Sequence, residues 1–235
     1  MKNIVFLAPL LALAACEGSI VDAVGDAASS TSSFTDGSPI GTSASDPGAF
    51  EGITLAGPDN IVFTTGTEFS IRAEGDSEAI EQLRYSISGG HIKIGREGKG
   101  MSSSDGGKAT IFVSGPSLQS AKLAGSGDME IDSMTSASTR LSIAGSGNIR
   151  VANIETDSLE SKIAGSGDLE LAGSAESVDI SIAGSGHISG KDLKAASASI
   201  SVAGSGDVEL SSDGSVDAKV MGSGDVRIHG NAKCK

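Results

Sequence analysis

Rings are nearly absent from this chain: there is no tryptophan, there is one tyrosine, and aromatic residues make up 3% of 235 positions. A core with so few rings must be assembled from Val, Ile, Leu and Ala, which suits thin, regularly stacked layers better than a large globule. Positive charge is also scarce, with 17 Lys and Arg against 30 Asp and Glu, leaving a net charge of −13. So acidic a surface repels phosphate backbones and, by charge alone, anionic lipid headgroups, so nucleic acid is not an expected partner. Cysteine occurs only at Cys16 and Cys234. The apolar run Ile4 to Ala15 is broken by Pro9 and is too short to span a bilayer comfortably. What the chain has in quantity is glycine, 33 residues of it.

The first residues read as a targeting segment. Lys2 supplies a positive start, the apolar run follows, and it ends in Leu13-Ala14-Ala15-Cys16. This resembles a bacterial lipoprotein signal, which implies removal of residues 1–15 and lipidation of Cys16. An ordinary secretory signal with an incidental cysteine is the alternative. By the same resemblance, Glu17 in place of an aspartate favours the outer membrane over the inner one. Multiple acyl chains contribute about 0.8 kcal/mol per buried CH₂ and make such an anchor effectively permanent. With Cys16 assigned to lipid by the resemblance, Cys234 is left without an internal partner: a free thiol or, alternatively, an intermolecular bridge. Residues 16–45 are rich in Ser, Thr, Ala, Gly and Asp and lack periodicity. They read as a flexible tether whose thirty residues span about 30 Å on average.

From residue 46 the texture changes. Ile53 and Leu55, Ile61 and Phe63, and Phe69 and Ile71 alternate with polar residues, as short strands do, and Gly57-Pro58 and Thr65-Gly66 separate them. "DSEAIEQLRY" is the one helical candidate, with Asp76 or Ser77 as its cap and Ile80 and Leu83 on one face. Strands resume at Ile87, Ile92, Ile94, Ile111 and Val113, around a glycine-rich excursion, "GREGKGMSSSDGGK", that has no phosphate-loop spacing.

Then comes a repeat. Gly-Ser-Gly occurs at Gly125/Gly127, Gly145/Gly147, Gly165/Gly167, Gly184/Gly186, Gly204/Gly206 and Gly222/Gly224, at intervals of 20, 20, 19, 20 and 18 residues. A fixed period near 20 is the mark of a solenoid. In Leu141-x-Ile143-x-Gly145-x-Gly147-x-Ile149-x-Val151 the glycines fall on the same face as the apolar residues. The pattern therefore predicts all-β coils in which these twelve glycines face inward at a corner. Tight hairpins are the alternative, but six near-identical copies at one-coil spacing favour the β-helix. Residues 46–120 then form an N-terminal β-rich cap and first coils, and 121–230 the repeated coils. Three residues beyond each second glycine stand Glu130, Arg150, Glu170, Ser189, Glu209 and Arg227, a column of mostly alternating sign that suits neighbours about 4.8 Å apart. Seven beyond it, Met134, Ile154, Ser174, Leu193 and Asp213 form a further inward candidate that loses its apolar character toward the C-terminus.

The lipoprotein-type start, the strand series from Phe50 to Ile71, "SGPSLQSAKLAGSGDMEI" and the serial "GSGD" turns together resemble the head GIN domain family of envelope lipoproteins, described as heads of autotransporter adhesins. The resemblance covers about residues 46–230. It implies a right-handed parallel β-helix in the cell envelope and supplies no catalytic motif. The chain departs from a regular series at Met221, where earlier copies have Ala, and at His187, where Asp or Asn is usual.

His91, His187 and His229 have no ligand-like spacing, no Gly-x-Ser-x-Gly elbow occurs, and the calcium β-roll repeat has a nine-residue period that this chain lacks. No cofactor is expected. The column Asp128, Asn148, Asp168, His187, Asp207 and Asp225 directly follows the triplets and is read as closing its own turns by Asx-type bonds, with Asp207 and Asp225 the sole candidates for calcium. A polysaccharide-cleaving β-helix is the rival reading. Against it stand the lack of a basic cluster and of a ring-stacking array, because Lys122, Lys162 and Lys219 share a column interrupted by Ser142, Ser181 and Ser201. The expectation is a non-catalytic module for an envelope or surface protein or glycan, anchored to the membrane by lipid. Its open C-terminal end would be shielded by charge or by a partner such as a second copy.

Overall fold

A computed structural model describes residues 37–40, 50–97 and 107–234. The signal segment, Cys16, most of the expected tether and the centre of the glycine-rich excursion lie outside the described residues.

The coils of the stack do not follow chain order at its N-terminal end. Strand β1 (Ser38–Pro39) is followed by β2 (Gly52–Gly57) and β3 (Asn60–Thr65), which form two sides of one coil. The chain then leaves the stack through β4 (Ser70–Gly75), helix α1 (Ser77–Gln82) and β5 (Leu83–Ser88). It returns as β6 (His91–Arg96) and β7 (Ala109–Gly115), which lie parallel to β2 and β3. This return coil sits on the outer side of the first, because β2 gives its other edge to β8 (Ser120–Gly125), and β3 gives its other edge to β9 (Met129–Ile131). From β8 onward the stack grows one coil at a time. Strands β10 (Met134–Gly145), β11 (Ile149–Gly165), β12 (Leu169–Gly184), β13 (Ile188–Gly204) and β14 (Val208–Gly222) pair in parallel, in register at every triplet, and β15 (Val226–His229) and β16 (Lys233–Cys234) lie on β14. Among the described residues the fold is a parallel β-solenoid with one short helix.

The core is a set of columns. Leu123, Ile143, Ile163, Ile182 and Val202 stack on Leu55 and Ile94, while Met129, Ile149, Leu169, Ile188 and Val208 stack on Ile61, and all are buried. At the far end of the Ile188 run, where an apolar residue is missing, Gly190 is buried and Leu210 Cδ1 reaches within 3.2 Å of where its Cβ would be. Among the described residues the few Phe and Tyr rings gather at the N-terminal end. Phe50 meets Phe63 and Phe69 edge-on at centroid distances of 6.4 and 5.8 Å, and Tyr85 packs on Phe69. Strands β4 and β5 cover this end antiparallel to β7 and β6, and β1 covers β5.

Three local expectations are corrected. Helix α1 is capped by Asp76, whose carboxylate accepts from Glu78 N and Ala79 N, but it ends at Gln82, so Leu83 is buried in a strand and Ala79 is the helix's buried residue. Ser38–Pro39, inside the segment 16–45 expected to be tether, is a strand beside Arg84 and Tyr85, and the adjacent Ile40 is buried. In the inward column, Gly173, and not Ser174, lies beside Ile154, because that coil is one residue shorter. A Cβ on Gly173 would lie 2.1 Å from Ile154 O, so the exposed Ser174 is displaced to the rim.

Candidate functional site

The triplets divide their work between two glycines. Gly165 ends a strand at φ +135°, a conformation that L side chains rarely adopt, and a Cβ there would lie 2.2 Å from Gly145 O, one coil earlier. It is half-buried and points along the stack. Gly167 is buried and points into the coil, where a Cβ would lie 2.1 Å from Gly147 O and 2.9 Å from Ile143 Cγ2. Gly125, Gly145, Gly184, Gly204 and Gly222 repeat the first arrangement, each with φ between +138° and +144°. Gly127, Gly147, Gly186, Gly206 and Gly224 repeat the second, each facing a backbone carbonyl one coil earlier. The serine between them is exposed in all six coils.

The stack contains a seventh, degenerate corner that sequence periodicity did not show. Gly57-Pro58-Asp59 is in register with Gly125-Ser126-Gly127, with Gly57 at φ +141°. Asp59 takes the inward glycine's place and is fully buried. Its carboxylate receives two hydrogen bonds of 2.7 Å from Arg96 and one of 2.9 Å from Ala109 N. The Asp59 hydrogen bond, outweighing desolvation, raises the Arg96 pKa above its ordinary value. Aligning "GPDN" on "GSGD" was the available signal for this buried ion pair.

Outside each corner runs a continuous hydrogen-bond ladder. Asn60 Oδ1 accepts from Asp128 N, Asp128 Oδ1 from Asn148 N, Asn148 Oδ1 from Asp168 N, and Asp168 Oδ1 from His187 N. His187 Nδ1 then accepts from Asp207 N at 3.1 Å, and Asp207 Oδ1 from Asp225 N at 2.8 Å. This corrects the expectation that each residue of the column closes its own turn by an Asx-type bond. Each side chain reaches forward and satisfies the amide of the next coil, where the corner interrupts the main-chain ladder. Accepting at Nδ1 requires the His187 tautomer with its proton on Nε2. Of the calcium candidates, Asp207 is engaged in this way, whereas Asp225 gives the ladder its amide and its carboxylate lies 3.6 Å from Arg227. Among the described residues, no group of three or more His, Cys, Asp or Glu is placed to hold a metal ion. In the neighbouring charge column Arg150 pairs with Glu170 at 2.7 Å, whereas Glu209 takes His229 as its partner instead of Arg227. His91 is half-buried beside Gly52.

A concave surface lies on another edge of the solenoid. Ser136, Thr156, Ala175, Ala195 and Ser212 stack in register as the floor of a groove of about 1100 Å³. Four of them are buried, and their small side chains leave the edge hollow where Ile154 and Leu193 fill the adjacent interior. Glu155, Asp157, Glu176, Lys194, Asp213 and His229 stand along the rims. Five coils at about 4.8 Å give an open trough roughly 20 Å long, parallel to the stack axis. Sequence reading missed it because its floor is defined by what those positions lack.

Residues 49–232 match the profile of the family described as "Putative auto-transporter adhesin, head GIN domain". The match begins and ends within three residues of the expected 46–230. A "putative adhesin" from Bacteroides fragilis NCTC 9343 superposes with a TM-score of 0.65 at 20% identity, covering 80% of this chain and 93% of that one. A "Putative lipid binding protein" from Parabacteroides distasonis ATCC 8503 superposes with a TM-score of 0.52 at 20% identity, with the same coverage. At such identity these likenesses show the fold. Among curated proteins, none matches the chain. Among the described residues, no helix is long and apolar enough to cross a membrane. The register, the serial glycine corners and the profile match agree: the chain belongs to the head GIN domain family.

Proposed function

We propose that this protein is a non-catalytic interaction module of the cell envelope, carried on a lipid anchor at Cys16, whose contact face is the axial groove. The observation that carries the reading is the groove itself: a trough crossing five coils, floored by small side chains and built on a rigid parallel stack, shaped for an extended chain lying along the axis. The family's adhesin-type description supports it. So does the setting of the groove's carboxylates, which are spread over three of the five coils of an open surface with no Phe, Tyr or Trp among the lining residues. A polysaccharide-processing enzyme would be expected to converge an acid and a base on one enclosed bond.

A glycan and matrix-protein array, probed with the full chain and with Ala195→Arg, tests this. Ala195 lies on the groove floor, so its arginine would obstruct the trough. Binding lost in Ala195→Arg at an unchanged melting temperature supports the reading, while release of new reducing ends from any arrayed polysaccharide would replace it with the enzymatic one. Incorporation of a fatty-acid probe that disappears in Cys16→Ser tests the anchor, and label retained in that variant would refute it.

A further inference from the structure

We propose that His187 is a pH-sensitive rung of the corner ladder. When its imidazole takes up a second proton, the bond from the Asp207 amide breaks and the ring gives its new N–H to the Asp207 carboxylate. This rung differs in chemistry from the other five. Asn60, Asp128, Asn148, Asp168 and Asp207 each accept the next amide with a carboxamide or carboxylate oxygen. Here the acceptor is a ring nitrogen, His187 Nδ1, 3.1 Å from Asp207 N. Carboxamides do not titrate, and carboxylates ordinarily take their protons well below the range in which imidazole does. Imidazole Nδ1 has a single lone pair, so a proton placed there sets N–H against N–H.

The replacement partner is already in place. Asp207 Oδ2 lies 3.5 Å from His187 Nδ1, so a small turn of the ring exchanges a neutral bond for a charge-assisted one. Solvent reaches the ring, whose side chain is 51% exposed. The charged groups around it come from the coils on either side. Asp168 and Glu170 face it from the coil before, with Arg150 behind them and paired to Glu170. Asp207 and Glu209 stand on the coil after, and Glu209 is paired to His229. On its own strand the next outward residue, Ser189, is uncharged. The stack itself holds, because Ile188 N donates to Asp207 O at 2.9 Å through the main chain. What changes is the rung and the surface beside it. His187 lines a hollow of about 490 Å³ with Asp128, Glu130, Arg150, Asp168 and Glu170. Four carboxylates and one guanidinium give that lining a charge of −3, which a proton on His187 lowers to −2.

NMR of the full chain between about pH 8 and about pH 5.5, which brackets ordinary imidazole titration, tests this. At the upper end the His187 ring should carry its proton on Nε2. As pH falls, the Asp207 amide shift should move in step with the His187 ring. Hydrogen exchange at that amide, corrected for its intrinsic rate, should quicken about five-fold, the worth of one ordinary hydrogen bond. The Asp168 amide, held by Asn148, should keep its protection. His187→Asn supplies the kind of acceptor that Asn148 already supplies, so the variant should fold and hold the Asp207 amide protected across the whole range. A ring protonated at Nδ1 near pH 8, an Asp207 amide whose protection ignores the His187 titration, or the same loss of protection in His187→Asn would each overturn the proposal.

Discussion

Replacing Gly167 by alanine would put a methyl group 2.1 Å from Gly147 O and 2.9 Å from Ile143 Cγ2. Neither neighbour can yield easily, since one is the backbone of the preceding corner and the other a buried core side chain. The carbonyl contact must open by more than 1 Å or so, against a coil spacing of about 4.8 Å. That displacement strains the corner, about 1–3 kcal/mol for overpacking, and weakens two or three inter-coil hydrogen bonds worth roughly 1 kcal/mol each. The sum is about 3–6 kcal/mol, which for a domain of this size is a fall in melting temperature of about 6–24 °C. Gly66→Ala is the matched control, because nothing lies within 4 Å of a Cβ there and its backbone needs no glycine. Gly224→Ala tests the mechanism further. Its Cβ meets Gly206 O at the same 2.1 Å, but among the described residues no coil lies above this one, so it can lift and the cost should be less than half. Circular dichroism melts of the three variants decide the matter. Gly167→Ala melting with Gly66→Ala, or no more harmful than Gly224→Ala, would refute the account of the corner.

Other consequences are smaller and equally direct. Ser161 is fully buried in the column of Leu141 and Ile180 with its hydroxyl unpartnered, so Ser161→Ala should stabilise the protein by about 1 kcal/mol in urea unfolding. Asp59→Ala leaves the Arg96 guanidinium buried without its carboxylate and should cost about 3–5 kcal/mol in the same assay. Asn148→Asp puts a third carboxylate between Asp128 and Asp168 and should lower stability most at low salt, with the deficit shrinking as salt is added. The Lys162 hydrogen bond, opposed by desolvation and helped by the charges of Lys162 and Arg140, holds the Glu160 carboxyl below its usual range. Its contribution to stability is therefore present above the ordinary carboxylate pKa and is lost as pH falls through the lowered one. An NMR titration should show Glu160 moving up toward its ordinary value in Lys162→Ala.

The repeated coils were legible because period and parity are both written in single residues: a triplet every 18–20 positions fixes the stack, and the alternation through Gly145 and Gly147 fixes which lane is buried. The N-terminal third was less so. There the coils do not follow chain order, and no local pattern tells that Ile92 and Ile94 lie beyond Ile53 and Leu55 while Ala121 and Leu123 lie on their other side. The corner at Gly57-Pro58-Asp59 was hidden because an ion pair with Arg96, 37 residues away, takes the place of a glycine. The ladder of Asp128, Asn148, Asp168 and His187 was visible as a column, but its direction of bonding was not. Carboxamide, carboxylate and imidazole can each accept from their own turn or from the next coil, and the backbone direction at the corner decides. The groove was least visible, since Thr156, Ala175 and Ala195 read as ordinary strand residues until stacked.

Everything above rests on coils that lie parallel and in register, one repeat apart. Disulfide trapping in the full chain tests that most directly. Arg150 and Glu170 are register partners on adjacent coils, with outward, exposed side chains, so Arg150→Cys/Glu170→Cys should oxidise to an internal bridge, found by peptide mass mapping. Glu130 and Glu170 share the column two coils apart, about 9.6 Å, beyond the roughly 7 Å limit for a disulfide, so Glu130→Cys/Glu170→Cys should remain reduced or bridge only between molecules. An internal bridge in the first variant and not in the second is the predicted result. Its absence from the first, or an equally ready bridge in the second, would contradict the solenoid.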